Sequence, residues 1–125
     1  MTAITVSIAR DPALVRTVRL VAAAVARRSG QDEELVEEIR LAIGEACALM
    51  VGVDAATDES PIDVTMSIGQ RLRVDVSSEG ELAFEDAADV EDGVQPWALL
   101  RGLIEDFQVT RQRTRTTLSM SWPLV

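Results

Sequence analysis

Histidine and tyrosine are absent from this 125-residue sequence, and cysteine occurs once. Without histidine, the protein has neither a histidine acid–base catalyst nor a histidine metal ligand, and we expect no metal site. The single Cys47 has no partner for an internal disulfide, which fits a reducing cytosol. It falls among the apolar positions of a predicted helix, and this favours a packed core thiol over a reactive one.

Long apolar runs and positive charge are also scarce. The apolar run at residues 20–26 is too short to cross a membrane, and the amino terminus has no signal-peptide pattern. Twelve Lys and Arg residues against 21 Asp and Glu give a net charge of -9. An acidic chain repels phosphate backbones, so nucleic-acid binding is disfavoured. We therefore expect a cytoplasmic protein that binds neither membranes nor nucleic acid.

Apolar residues make up 47% of the chain, which predicts one globular domain over residues 1–125. The opening stretch AITVSIAR alternates and predicts a half-buried strand. Asp11 and Pro12 then mark a helix start, and Gly30 marks its end. The core stripe of this helix consists of Leu14, Val18, Val21, Ala22 and Val25.

The remaining pattern completes an α/β domain. A second helix begins near Asp32, and IDVTMSIG and LRVDVS alternate as two strands of a tight hairpin at GQR. After an acidic loop over residues 79–92, Pro96 opens a third helix, and FQVTR and TRTTLSMSW form a closing hairpin. This order predicts a two-layer sandwich, with three helices on one face of a mostly antiparallel mixed sheet.

Glu45 interrupts the apolar pattern of the second helix. On a helical wheel it lies at the border of the stripe that contains Ile39, Ala42 and Ala46. One interpretation is a solvated carboxylate in an acidic edge with Glu34 and Glu38. The other is a member of a catalytic or binding site.

The second helix, VEEIRLAIGEACALMV, preceded by LVRTVRLVAAAVA, resembles the bacterial anti-sigma factor serine kinases, which share the histidine-kinase-like ATPase fold. The resemblance covers nearly the whole chain. The family's N box reads Glu-Ala-x-x-Asn-Ala, and its Glu serves as base while its Asn carries Mg²⁺. The resemblance implies that Glu45 is what remains of that base. Leu49 stands where the Asn is expected, and an aliphatic side chain cannot bind Mg²⁺.

The other nucleotide motifs of the family are also altered. Ser78 replaces the Asp that accepts from adenine, Gly80 matches a family glycine and Leu82 replaces the second glycine. VQPW replaces the phosphate-binding Gly-x-Gly, and Pro96 lacks the backbone N–H that this role needs. Thr116 matches a family Thr, but Arg115 replaces the Gly before it. We expect ATP binding to be lost or weakened, with no cofactor; ATP and Mg²⁺ are implied only if kinase activity persists.

The first helix offers a partner surface. Arg16, Arg19 and Arg27 lie opposite its core stripe, with Leu20 and Ala23 between them. In the family, an arginine matching Arg16 lies on the surface that contacts the sigma factor and its competitor. The alternative is an ordinary exposed helix with spaced charges.

The closing hairpin carries a second basic group. Arg111, Arg113 and Arg115 alternate, which predicts that they project from one strand face. A solvated edge strand is favoured there over a site for acidic ligands.

The resemblance implies an anti-sigma factor-like regulator that binds a sigma factor, an anti-anti-sigma antagonist, or both. It also implies a homodimer. We interpret the altered motifs as a loss of kinase activity. Two alternatives stay open: an active serine kinase that phosphorylates the antagonist, and an adaptor or sensor module of another signalling system.

Overall fold

The computed structural model describes residues 2–51, 60–79 and 106–123. Its elements follow the predicted order, and the helix predicted from Pro96 lies outside the described residues. The helices and strands are β1 (Thr2–Ile8), α1 (Pro12–Arg28), α2 (Glu33–Val51), β2 (Ile62–Ile68), β3 (Arg71–Glu79), β4 (Asp106–Gln112) and β5 (Arg115–Pro123).

The five strands form one sheet in the order β1-β2-β3-β5-β4. All four pairings between described strands are antiparallel, so the predicted parallel component of the sheet is wrong within this part of the chain. The predicted hairpins are both present. Gly69 and Gln70 join β2 to β3, and Arg113, at φ 60°, lies in the turn between β4 and β5.

Helices α1 and α2 pack on one face of the sheet, which gives the predicted two layers. Alternate strand residues point into the core, because successive side chains of a strand face opposite sides. Val64, Val74 and Leu118 are completely buried in this way, as are Ile39 and Ile43 on α2. The opposite sheet face carries mostly Ser, Thr and charged side chains.

Capping residues explain the limits of α1. Asp11 accepts a hydrogen bond from Ala13 N at 2.9 Å, and Pro12 takes the first helical position. Gly30 has φ +83°, where a glycine carries no steric penalty. The predicted core stripe is shifted at its start, since Val15 is buried and Leu14 is 36% exposed.

Candidate functional site

Glu45 lies on α2 at the margin of the core. It is half-buried, and its neighbours Gly44 and Ala46 are buried. Within the described residues, Glu45 makes no hydrogen bond or ion pair. Leu49, one helical turn further on, is also half-buried and packs against the core. The two positions matched to the N box therefore share one helix face, with one carboxylate and one aliphatic side chain.

Ser78 and Thr116 are brought together by the sheet. They are direct cross-strand partners on β3 and β5, and both are buried, at 1% and 0% exposure. Two motif positions that are 38 residues apart in the sequence thus lie next to each other beneath the helices. Gly80 lies outside the described residues, as do Leu82, Pro96 and Trp97.

Arg10 engages Ser78, and no motif pointed to it. Its Nη2 donates hydrogen bonds to Ser78 Oγ and to the Glu79 carbonyl. Ser78 Oγ in turn donates to the Pro61 carbonyl at 3.2 Å. The hydroxyl thus has one donor and one acceptor contact inside the protein. The residues are 68 positions apart in sequence, so local pattern carries no signal of the contact.

Arg115 is not part of a solvated basic face, which corrects the prediction for Arg111, Arg113 and Arg115. Arg113 lies in the hairpin turn, and Arg115 lies on β5, an inner strand. Arg115 Nη2 contacts Asp63 Oδ2 at 2.6 Å and donates to Ser77 Oγ at 2.9 Å.

Glu79 lies at the end of this polar network. It accepts from Thr114 Oγ1 at 2.6 Å, and its other oxygen is 3.5 Å from Arg115 Nη1. The Thr114 hydrogen bond, followed by those of Arg115, lowers the pKa of the Glu79 carboxyl. The network is built from the open sheet face.

The partner surface predicted on α1 is exposed in part. Arg16 and Arg19 are exposed, and Leu20 is 59% exposed. Ala23 is 3% exposed, so its assignment to this surface is wrong. The reason is helix packing: α1 packs against α2, and Ala23 is one of the buried residues of α1.

Arg19 lies across α2 rather than projecting freely from α1. A Cβ added at Gly44 would collide with the Arg19 guanidinium, so the absent side chain of Gly44 makes room for it. Arg19 also lines a shallow groove between the helices with Pro12, Val15, Ala48 and Val51.

Cys47, next to Ala48 on α2, is completely buried. Burial raises the pKa of the Cys47 thiol to about 12, against the opposing charge of Arg19. The predicted packed thiol is confirmed.

The described residues contain no group of three or more metal-ligating side chains. In the same part of the chain, no helix is long and apolar enough to cross a membrane.

Comparison with known proteins agrees with this architecture. Residues 8–122 match the profile of the histidine kinase-like ATPase domain, so the chain belongs to that family. The histidine-kinase-like ATPase fold expected from the resemblance is thereby confirmed. No match was found among curated proteins.

A solved structure shares the fold. The crystal structure of the RsbU and RsbW domains of Rv1364c from Mycobacterium tuberculosis is similar, with 19% sequence identity and a TM-score of 0.78. The alignment covers 99% of this chain and 33% of that one, so this chain spans about a third of the length of the other. At this identity the likeness concerns the fold.

Proposed function

We propose that this protein is an anti-sigma factor-like regulator that acts by binding a sigma factor, an anti-anti-sigma antagonist, or both, without phosphoryl transfer. The family match and the fold shared with an RsbW domain, an anti-sigma factor serine kinase, support the general class. The proposal treats residues 1–125 as one regulatory domain of the cytoplasm, and the family resemblance adds a homodimer.

The observation that carries the proposal is the charge and exposure of α1. This helix contains Arg16, Arg19, Arg27 and Arg28 and no acidic residue, in a chain whose net charge is -9. Leu20 is 59% exposed, and Leu14 adds an apolar group at 36%. Exposed leucines between arginines suit a partner that offers apolar residues among carboxylates.

Helix α2 also exposes a large apolar side chain. Leu41 is 51% exposed, so three of the four large hydrophobic residues that the described chain exposes lie on the helix layer. Arrays of exposed apolar side chains with a polar rim are typical of protein interfaces. We define Arg16, Leu20 and Leu41 as the helix-layer patch.

The nucleotide positions fit ATP and Mg²⁺ poorly, which supports a binding role over a kinase role. Mg²⁺ requires oxygen ligands, and Leu49 offers none. Ser78 Oγ already accepts from Arg10 and donates to Pro61 O, so an adenine amino group would have to compete with an internal guanidinium. The proposed function uses no step that involves ATP.

Regulation without phosphorylation would depend on concentrations. A sigma factor bound at the helix-layer patch would be kept from polymerase. An antagonist that shares the patch would release it by mass action: at about 100 times its dissociation constant it weakens the apparent sigma affinity about 100-fold, or about 2.7 kcal/mol. The direction of switching then follows the ratio of the two partners.

The experiment that tests this function is calorimetric titration of the folded protein, first with ATP and Mg²⁺ and then with the sigma factor that co-purifies with it. We expect no heat with millimolar nucleotide and sub-micromolar binding of the sigma factor. Micromolar nucleotide binding would contradict the loss of the ATP site. A co-purified set without any sigma factor would favour the adaptor or sensor alternative.

The active-kinase alternative depends on Glu45. Its half-buried carboxylate has no hydrogen-bond or ion-pair partner among the described residues, so it is available to a hydroxyl. Transfer of labelled phosphate from ATP to an antagonist protein, abolished by Glu45→Ala, would establish this alternative. The matched control is Glu38→Ala, another half-buried glutamate of α2.

A further inference from the structure

The open face of the sheet has a depression along β5. Ser119 and Ser121 lie on this face, because side chains alternate along a strand and the intervening positions of β5 are buried. The strands on either side of β5 present longer side chains next to these serines. Arg73 on β3 is the cross-strand partner of Ser121, and Gln108 on β4 is that of Ser119. Short side chains between longer ones leave a trough of about 290 Å³, close to the size of a small-metabolite site.

Charged and polar side chains line this depression. We define the β5 trough by its six polar lining residues, which are Arg71, Arg73, Asp106, Gln108, Ser119 and Ser121. Its two guanidinium groups and one carboxylate leave an excess of one positive charge, in a chain whose net charge is -9. A concave surface concentrates the field of the charges that line it, so the trough favours an anion.

Arg73 has the more open guanidinium of the two. Its side chain is 61% exposed, and its Nε donates to Asp75 Oδ2 at 3.3 Å. Asp75 also accepts from Ser119 Oγ at 2.7 Å, so its carboxylate is shared between two donors. Within the described residues, Nη1 and Nη2 of Arg73 donate no hydrogen bond. Two parallel N–H groups of a planar guanidinium match the two oxygens of a carboxylate.

Arg71 is fixed across the trough by contacts with β5 and β4. Its Nε donates to Ser121 Oγ at 3.1 Å, and its Nη2 is 3.2 Å from Asp106 Oδ2. Ser121 Oγ donates to the same Asp106 oxygen at 2.8 Å, which closes a ring of three contacts. Nη1 of Arg71 donates to no described residue, and neither does the exposed amide of Gln108. Arg71 is therefore positioned before any ligand binds, with donors left for that ligand.

We propose that the β5 trough binds a small monocarboxylate ligand. The carboxylate would accept two hydrogen bonds from the terminal amino groups of Arg73. The body of the ligand would lie over Ser119 and Ser121, where Gln108 and Arg71 Nη1 offer further donors. A single negative charge balances the one excess positive charge of the lining residues, whereas a phosphate monoester carries nearly two negative charges at neutral pH.

This site is separate from the surfaces of the proposed function. The trough lies on the face of the sheet opposite the helices, so a ligand there leaves the helix-layer patch uncovered. The inference uses no residue of that patch and no nucleotide position, and either proposal can fail without the other. No sequence motif pointed to the trough, since its members come from three strands that only the sheet order brings together.

Titration of the ¹⁵N-labelled whole chain with lactate, followed by NMR, tests the binding. Lactate is a monocarboxylate, and lactamide is its uncharged counterpart. We expect saturating shifts of the Arg73 Nε–H and Gln108 amide signals with lactate, at a dissociation constant of about 1–10 mM, and none with lactamide. Shifts that do not saturate, equal shifts with lactamide, or tighter binding of inorganic phosphate would overturn the proposal.

Variants of Arg73 separate a specific site from general charge attraction. Arg73→Gln removes the charged guanidinium, and we expect lactate affinity to fall at least about tenfold. Arg73→Lys keeps the charge without the planar pair of donors, and affinity should fall at least about threefold. Both variants should fold, since Arg73 is largely exposed, and the same spectra check this.

Arg40→Gln is the matched control. Arg40 is an exposed arginine of α2 that likewise contacts one carboxylate, that of Glu37 at 3.4 Å. Its substitution removes the same charge from the helix layer, and lactate affinity should stay unchanged. An equal loss in Arg40→Gln, or no loss in Arg73→Lys, would mean that lactate responds to charge alone and would overturn the proposal.

Discussion

The outer side of α1 and the Ser78 region beneath the helices differ in how far their polar groups are exposed to solvent. On α1, arginines and leucines are presented to solvent, and Leu20 is 59% exposed. At Ser78, the hydroxyl is 1% exposed and contacts Arg10 and Pro61. A buried polar group must be paired inside the protein, whereas an exposed one keeps its capacity for a partner. The comparison agrees with the proposal that this protein binds a partner through the exposed side of α1.

We expect the strongest change in partner affinity from a substitution on the exposed side of α1. Arg16→Glu reverses a charge in the helix-layer patch, and we expect sigma factor affinity to fall at least about 30-fold, or about 2 kcal/mol, as at interface hot spots. The thermal midpoint should stay unchanged because Arg16 is exposed. Titration calorimetry measures the affinity. Arg28→Glu is the control at the far end of α1. An equal loss of sigma factor affinity in this variant would show that the effect of Arg16→Glu comes from the net charge alone.

The next effect concerns the internal side. Arg10→Ala removes the donor shared by Ser78 Oγ and the Glu79 carbonyl, and we expect a loss of about 1–2 kcal/mol in the free energy of unfolding. Urea denaturation measures it. Arg73→Ala is the control, because the Arg73 side chain is 61% exposed and its ion pair with Asp75 should contribute under about 1 kcal/mol.

A second variant sharpens the same contrast. Arg10→Ala combined with Ser78→Asp removes the guanidinium that contacts residue 78 and restores the carboxylate that the family has there. Gain of nucleotide binding by this double variant would show that Arg10 had blocked the site. If binding stays absent, Leu49 and the other altered motifs are sufficient for the loss.

A smaller effect is expected where α1 and α2 meet. Gly44→Ala adds a Cβ in the place of the Arg19 guanidinium, so Arg19 must move. The gain in helix propensity of up to about 1 kcal/mol offsets the lost packing, and stability should change little. Partner affinity should fall about two- to fivefold, or about 0.5–1 kcal/mol. In an Arg19→Ala background the same substitution should leave affinity unchanged; a persistent loss would exclude Arg19 as the cause.

The smallest effect at neutral pH concerns Cys47. Because burial raises the pKa of the Cys47 thiol from 9.0 to about 12, native protein should not react with a thiol reagent at pH 8 until it is unfolded. The unfolded chain releases this proton first, so the stability present below pH 9 is lost as pH rises towards 12. Cys47→Ala should flatten this alkaline decline. Rapid labelling of the folded protein would show that the layer between α1 and α2 opens.

Periodicity and turn residues were sufficient to predict much of the fold. The alternation in β1, the Asp11–Pro12 start of α1 and the two hairpins lie where the sequence placed them. These features depend on neighbouring residues, and local rules apply to them. The side assigned to Ala23 was wrong, because a small residue on a helix border is buried or exposed according to how closely the next helix approaches.

The two layers, the family and the residue types at the motif positions could be predicted from the sequence. They depend on local periodicity and on the identities of Glu45, Leu49 and Ser78. The tertiary structure alone decided that Arg10 reaches Ser78 across 68 residues, that Arg19 lies over Gly44, and that uncharged β1 is a sheet edge. The physical reason is that these contacts join distant segments. Their partners are selected by strand order and helix packing, which no local pattern encodes.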